Sequence, residues 1–322
     1  MFNKDVNTCT ILMIRPNKFD FNKETSADNQ FQNKKNLQLN IQKLAQEEFD
    51  QCVEVLKKEN INVIVFDKSK YSENIPTSPD EVFCNNWFAT FQDGSLFVFP
   101  LSANNRRKET ESIQYIQKIL QDNNFYIKEI INLDHVDTGK YLEATGSLVI
   151  DHINKYVYAG LSDRTSEEQI HNFITKSKLF NKSIIFDTTT TKRTPFYHTN
   201  VMRSIGDKFA VICSESILDN EINNRSNVLN ILSVNREVIE ITMEQAEKYY
   251  CGNIIQVKNA YDEKIIIMSE SAFIGFTEDQ LNILQKYGKI ITFPIKNTIE
   301  HIGGGSARCM IAEIFLPKLI LN

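Results

Sequence analysis

The chain repeats one structural phrase. In "NWFATFQDGSLFVFP" apolar and polar residues alternate around Asp93-Gly94, which reads as a β-hairpin. Residues 107–121 then set Ile113, Ile116, Ile119 and Leu120 at helical spacing, and "FYIKEIINL" reads as a strand. The phrase returns with "GSLVIDHINKYVYAG" turning near Asn154, a helix from about Ser166 carrying Ile170, Phe173 and Ile174, and the strand "KSIIFDTT". A third copy runs through "TNVMRSIGDKFAVIC", turning at Gly206-Asp207, a helix around 225–232 and "EVIEIT". A fourth runs through "NIIQVKNAYDEKIIIMS", turning near Asp262, a helix capped by Thr277 and Gln280, and "KIITFPI". The turns fall near 94, 154, 207 and 262, so they are 53 to 60 residues apart.

A fifth copy can be assembled from the two ends: "ARCMIAEIFLP" and "CTILMIRP" as the hairpin strands, the helix 37–59 and "NVIVF". Five hairpin–helix–strand units predict one closed ring, with strands lining the centre and helices outside, because a ring leaves no end unit with an unpaired face. An open α/β protein of irregular order is the competing architecture. No linker or charge run divides residues 1–322, which read as one domain.

Composition narrows the function. At 42% hydrophobic and 24% charged residues the chain is globular. A net charge of −5 without a basic stripe argues against nucleic acid as a partner. No apolar stretch reaches the roughly 18 residues that span a bilayer, and the N-terminal apolar run is too short for a signal peptide. A cytoplasmic protein is expected. Its six cysteines contain no CxxC pair, so most read as buried free thiols.

Cys309 stands apart because it follows Gly303-Gly304-Gly305, in a chain with only 11 glycines. Three other residues open repeats as Cys309 opens the last: Asn86, Glu143 and His198. In a ring, matching points of the repeats converge on one pocket. A thiolate there attacks an electrophilic carbon, a histidine moves protons, and a carboxylate fixes the imidazole. Backbone N–H groups around Gly303–Ala307, including those of Gly304 and Gly305, could stabilise developing charge. The reading that competes for each residue alone is structural or solvated.

"MIRPNKFDFN", "NNWFATFQDGSLFVFP", "NNRRKET", "LEATGSLVIDHINKYVYAGLSDRT", "FYHTNVMRSIG" and "HIGGGSARCM" together resemble the amidinotransferase and deiminase (pentein) superfamily, in particular its citrulline-utilisation hydrolase and arginine-deiminase-related branch. The resemblance spans nearly the whole chain. It implies a five-bladed pentein propeller and covalent thiol chemistry on a guanidino, amidino or ureido carbon of a small molecule, without metal or cofactor. By matching motif, Cys309 is the nucleophile, His198 the general acid and base, and Glu143 the group that orients the imidazole. Asn86 stands where deiminases carry an aspartate on the guanidinium. Arg15 and Arg164 match positions near the amino-acid end of the substrate, with a surface salt bridge as the alternative for each. Arg106 and Arg107 read as helix-start structure.

The departures point to the substrate. Deiminases show Glu-Gly-Gly-Asp and His-x-Asp, where this chain has Glu143-Ala-Thr-Gly-Ser147 and His198-Thr-Asn200. With Asn86, three carboxylate positions are neutral. Burying a guanidinium without paired carboxylates is costly, whereas amides and hydroxyls satisfy a neutral ureido group. A citrulline-like substrate is therefore expected. Guanidino deimination, dimethylarginine-type hydrolysis, amidino transfer, a non-catalytic pentein and a thiol redox protein remain alternatives. The oligomeric state stays open, a homodimer included. The polar segment 17–36 is a candidate lid or an ordinary surface connection.

Overall fold

The computed structural model describes residues 7–34, 40–71, 74–133, 139–219 and 224–319. Among these, fifteen strands form five three-stranded sheets. The first sheet has β3 (Phe88–Thr90) antiparallel to β4 (Ser95–Val98), with β5 (Glu129–Asn132) added parallel to β4. The second has β6 (Val149–Asp151), β7 (Tyr156–Gly160) and β8 (Lys182–Phe186) in the same arrangement. The third has β9 (Arg203–Ile205), β10 (Phe209–Ile212) and β11 (Glu237–Glu240). The fourth has β12 (Ile255–Lys258), β13 (Lys264–Ser269) and β14 (Lys289–Phe293).

The fifth sheet draws on both ends of the chain. β15 (Ala312–Glu313) lies antiparallel to β1 (Thr10–Ile14), whose other edge takes β2 (Asn62–Phe66) in parallel. A parallel third strand needs a crossover, and helices supply it: Ile41–Lys58, Ile113–Asp122, Glu167–Ser177, Arg225–Ser233 and Glu278–Gln285. Ser166 caps its helix, and Thr277 with Gln280 forms a reciprocal capping box. Gly94 at φ +88° and Asp262 at φ +64° hold two of the hairpin turns.

Neighbouring sheets meet around a ring. β15 lies beside β3, the turn 144–147 against β3, β6 beside β9, β9 beside β12, and the turn 307–310 against β13. Apolar residues fill the gaps between blades, with Phe97, Phe99, Val157 and Phe173 between the first two and Phe49, Ile267, Phe293 and Ile311 between the last two. The buried pair Arg236–Asp151, 2.7 Å apart, ties the third blade to the second. This is the closed ring that the repeat predicts, with the five blades that the pentein resemblance implies. No helix of the described residues is long and apolar enough to cross a membrane.

Candidate active site

Each inner strand is entered through a short turn that aims side chains at the axis. Single helical turns at Cys84–Asn86, Ala144–Ser147, Thr199–Met202 and Ala307–Met310 precede β3, β6, β9 and β15. Glu143 and His198 are the residues immediately before the second and third turns. Ala144 takes φ +37°, an unfavourable angle for a non-glycine residue, in the turn that swings Glu143 inward.

Glu143 is fully buried and its Oε2 lies 2.7 Å from His198 Nε2. Its Oε1 accepts from the Ser102 N–H at 2.9 Å, and Arg164 Nη1 stands 3.6 Å from Oε2. Burial pushes this carboxyl pKa up, but Arg164 and the His198 hydrogen bond outweigh burial and hold it at about 2. Burial lowers the His198 pKa against the upward pull of Glu143. The pair is therefore a carboxylate beside a neutral imidazole at neutral pH. The carboxylate can only accept, so Nε2 carries the proton and Nδ1 keeps its lone pair. That lone pair faces Gly146, where an added Cβ would lie 2.8 Å from His198 Nδ1 and 2.6 Å from Asn86 Nδ2.

Cys309 is 2% exposed, and two amides cup its sulfur. Asn253 Nδ2 lies 3.3 Å and Asn200 Nδ2 3.5 Å from Sγ. The Asn253 amide is locked, because its Oδ1 accepts from the Arg308 N–H at 3.0 Å and its Nδ2 also donates to the Asn200 carbonyl at 3.0 Å. Sequence analysis missed Asn253. It stands two residues before β12 and completes the set of axial residues that the repeat requires; counting repeat openings through to the fourth copy would have found it.

Asn86 is buried with its Oδ1 accepting from Arg106 Nη1 at 2.8 Å and its Nδ2 donating to Asn85 Oδ1 at 2.8 Å. Arg106 does start a helix, Asn104–Arg107, but its side chain is buried beneath Asn86 and pairs bidentately with Glu109 at 2.8 and 3.0 Å. Asp80, also missed, is buried; its Oδ2 accepts from Thr25 and Asn22, while Oδ1 has no hydrogen-bond partner. Burial raises its pKa.

Other expected residues lie differently. Arg15 is not brought to the site: it forms a two-point pair with Asp50, at 2.9 and 2.8 Å, in an outer hollow beside Phe49 and Pro294. Arg164 reaches the site but is spent on protein, with Nε on Asp28 at 2.7 Å and Nη2 on the Thr25 carbonyl at 3.0 Å and on Asp28. Ser147 points back into its own turn, accepting from the Glu143 N–H at 3.0 Å and donating to the Arg164 carbonyl at 3.0 Å. The glycines face protein: Cβ atoms on Gly303 and Gly305 would meet the Phe83 ring at 2.8 and 2.7 Å. A Cβ on Gly304, at φ +68°, would lie 2.7 Å from Gln32 N, and the Gly304 N–H is spent on the Glu300 carbonyl.

The polar segment covers these glycines. Asn29 Nδ2 donates to the Gly304 carbonyl and Gln32 Nε2 to the Gly303 carbonyl, at 3.2 and 3.1 Å. Phe31 packs on Phe196, Tyr197 and Tyr250. Residues 35 and 36 of that segment, and His135, lie outside the described residues. Among the described residues, no cluster of three His, Cys, Asp or Glu side chains is arranged to hold a metal ion.

Residues 15–316 match the family model of eukaryotic N,N-dimethylarginine dimethylhydrolase. The chain belongs to that family. It is thereby a pentein enzyme, a hydrolase of carbon–nitrogen bonds. Among solved structures it is similar to apo ArgZ, an arginine dihydrolase from the ornithine-ammonia cycle in cyanobacteria, with a TM-score of 0.70 and 17% identity. That match covers 96% of this chain and 41% of ArgZ, so the chain spans about two fifths of that protein. The N-terminal domain of ArgZ bound to substrate gives 0.68 and 16% identity, over 96% of this chain and 99% of that one. A dimethylarginine dimethylaminohydrolase adduct with 4-chloro-2-hydroxymethylpyridine gives 0.62 and 16% identity, over 96% and 100%. No curated protein matches the sequence.

Proposed function

We propose that this family member hydrolyses a C–N bond of a small neutral ureido compound, citrulline-like, through a covalent adduct on Cys309. The observation that carries the ureido preference is the set of amides at the axis. Asn253 and Asn200 hold Nδ2 at 3.3 and 3.5 Å from the sulfur, and Asn86 Nδ2 borders the same face of Gly146 as His198 Nδ1. Glu143, the carboxylate beside them, is already engaged by His198, Arg164 and Ser102. Amide N–H groups suit a carbonyl oxygen, which gains negative charge as the carbon becomes tetrahedral.

In this reading His198 Nδ1 takes the Cys309 thiol proton as sulfur adds to the ureido carbon. The adduct collapses with cleavage of the C–N bond to the alkyl chain, and the departing amine takes that proton from His198. Water then attacks the S-carbamoyl carbon while His198 accepts its proton. The C–S bond breaks, the thiolate recovers the proton, and carbamic acid leaves to become carbon dioxide and ammonia. Glu143 stays ionised and supports the imidazolium in each half. Asp80 Oδ1, buried and unpaired, suits the α-ammonium of an amino-acid substrate. The 17–34 segment would act as the lid that admits it. A guanidino substrate is the second reading, favoured by the family description and by the ArgZ neighbour bound to substrate.

Cys309→Ser is expected to abolish turnover with the melting temperature unchanged, and full activity in that variant would sink the mechanism. In a panel reading ammonia, ornithine and citrulline, the wild type is expected to release ornithine from citrulline. Release of citrulline from arginine would refute the ureido preference.

A further inference from the structure

The amide of Asn86 is one of the three axial amides in the reading above, yet an asparagine offers a donor on one side and an acceptor on the other. Its value depends on which side faces the substrate. An unrestrained asparagine could rotate its amide and serve either a carbonyl or a guanidinium.

We infer that Arg106 is a positioning residue that fixes the polarity of the Asn86–Asn85 amide pair, so that this wall of the pocket presents donors only. This inference rests on the proposed site and on the chemistry of a guanidinium, which can donate but never accept. Arg106 Nη1 lies 2.8 Å from the Asn86 amide, so the oxygen must face the arginine and Nδ2 must face away. Nδ2 then donates one proton to Asn85 Oδ1 at 2.8 Å and keeps the other. Its neighbours on that side are the open face of Gly146 and His198 Nδ1. Because the Asn85 oxygen is used in this way, its Nδ2 is the end of that amide left over. Asn85 is 0% exposed, and that Nδ2 has no hydrogen-bond partner. A buried amide nitrogen without an acceptor is costly unless a ligand supplies one.

Arg106 can hold this arrangement because it is itself immobilised. Glu109 grips it bidentately and the Phe83 carbonyl accepts from Nη2 at 3.1 Å. Ser78 in turn donates to Glu109 at 2.5 Å. All of these groups are buried. The chain of polarity runs from a fixed cation, through two amides, to an unpaired donor. A ureido carbonyl answers that donor, and a guanidinium, with N–H groups alone, opposes it.

A four-way comparison tests this: wild type, Arg106→Met with Glu109→Met, Asn86→Ala, and the triple variant. Each is measured for kcat/KM on citrulline and on arginine, with thermal melting as the folding control. If Arg106 acts through Asn86, removing the Arg106–Glu109 pair shifts the citrulline-to-arginine ratio towards arginine by about tenfold or more while Asn86 is present. In the Asn86→Ala background the same removal leaves the ratio unchanged. An equal shift in both backgrounds would overturn the inference, since Arg106 would then act as a bare charge. An unchanged ratio in folded protein with Asn86 intact would also overturn it. Should the paired variant fail to fold, Asn86→Asp with Arg106 retained takes its place. Its inward oxygen is then an acceptor, so the ratio is expected to move towards arginine, and no movement refutes the inference. If the wild type instead favours arginine, the proposed substrate is wrong, while the cycle still reads whether Arg106 and Asn86 are coupled.

Discussion

Glu143 Oε2 sits 2.7 Å from His198 Nε2 with both side chains buried, and Arg164 Nη1 stands 3.6 Å from the same oxygen. This ties the protonation of both groups to catalysis and to folding. Glu143→Gln is expected to reduce kcat by about a hundredfold or more, because the imidazolium loses its counter-charge. Removing the carboxylate also removes the influence that raises the His198 pKa, so the acid limb of the kcat/KM–pH profile should move to lower pH. A limb that stays in place would show that His198 does not set it.

The same pair gives a stability profile with a definite sign. Glu143 ionises at about 2 in the folded protein against 4.5 ordinarily, so its contribution is full above 4.5 and lost as pH falls towards 2. His198 is held below its ordinary 6.5, so the unfolded chain binds a proton first and stability declines as pH falls through 6.5. Thermal melts are expected to fall in two stages on acidification. In Glu143→Gln the lower stage should be smaller.

Gly146→Ala separates catalysis from stability. The new methyl would meet Asn86 Nδ2 and His198 Nδ1 at under 3 Å, which displaces the two groups proposed to face the substrate. Turnover is expected to drop by about a hundredfold. Melting should fall only modestly, since Gly146 is outside the positive-φ region and the clash with buried, hydrogen-bonded groups is the one cost.

Asp28→Ala tests the covering segment. Asp28 pairs with Arg164 along one edge of the guanidinium, and its loss frees the stretch that also carries Asn29, Phe31 and Gln32. Alkylation of Cys309 by iodoacetamide is expected to speed up by about tenfold, with KM raised more than kcat is lowered. An unchanged alkylation rate would assign access to another route.

Asn253→Ala should lower kcat by about ten- to a thousandfold, since a locked donor at the sulfur is lost. Single-turnover kinetics would show the loss in the chemical step; a change confined to KM would remove Asn253 from that step.

The ring was legible because hairpin turns and helix caps are local. Asp93-Gly94, Gly206-Asp207 and the Thr277–Gln280 box state their geometry within a few residues, and the repeat supplies the closure. Residues that open repeats could be found in the same way, which places Asn86, Glu143, His198 and Cys309 at the axis. Long side chains were harder. Arg15 and Arg106 both follow sequence signals of the family, but one reaches outward to Asp50 and the other inward to Glu109 and Asn86. Where the end of an arginine comes to rest depends on partners far away in the chain. The glycine run misled for a related reason: its open faces accommodate Phe83 and Gln32, which sequence distance conceals.

Closure of the fifth blade carries a last consequence. Ile11 stands opposite Glu313, four residues past Cys309, so the proposed nucleophile rides on the seam where the earliest and latest strands join. Pairing between segments so distant in sequence is slow to form. Until it does, the Glu143–His198 pair lacks the nucleophile proposed for it. In the proposed mechanism chemical competence and ring closure are thus one event, and a chain caught with its seam undone would hold a proton shuttle without an attacking group.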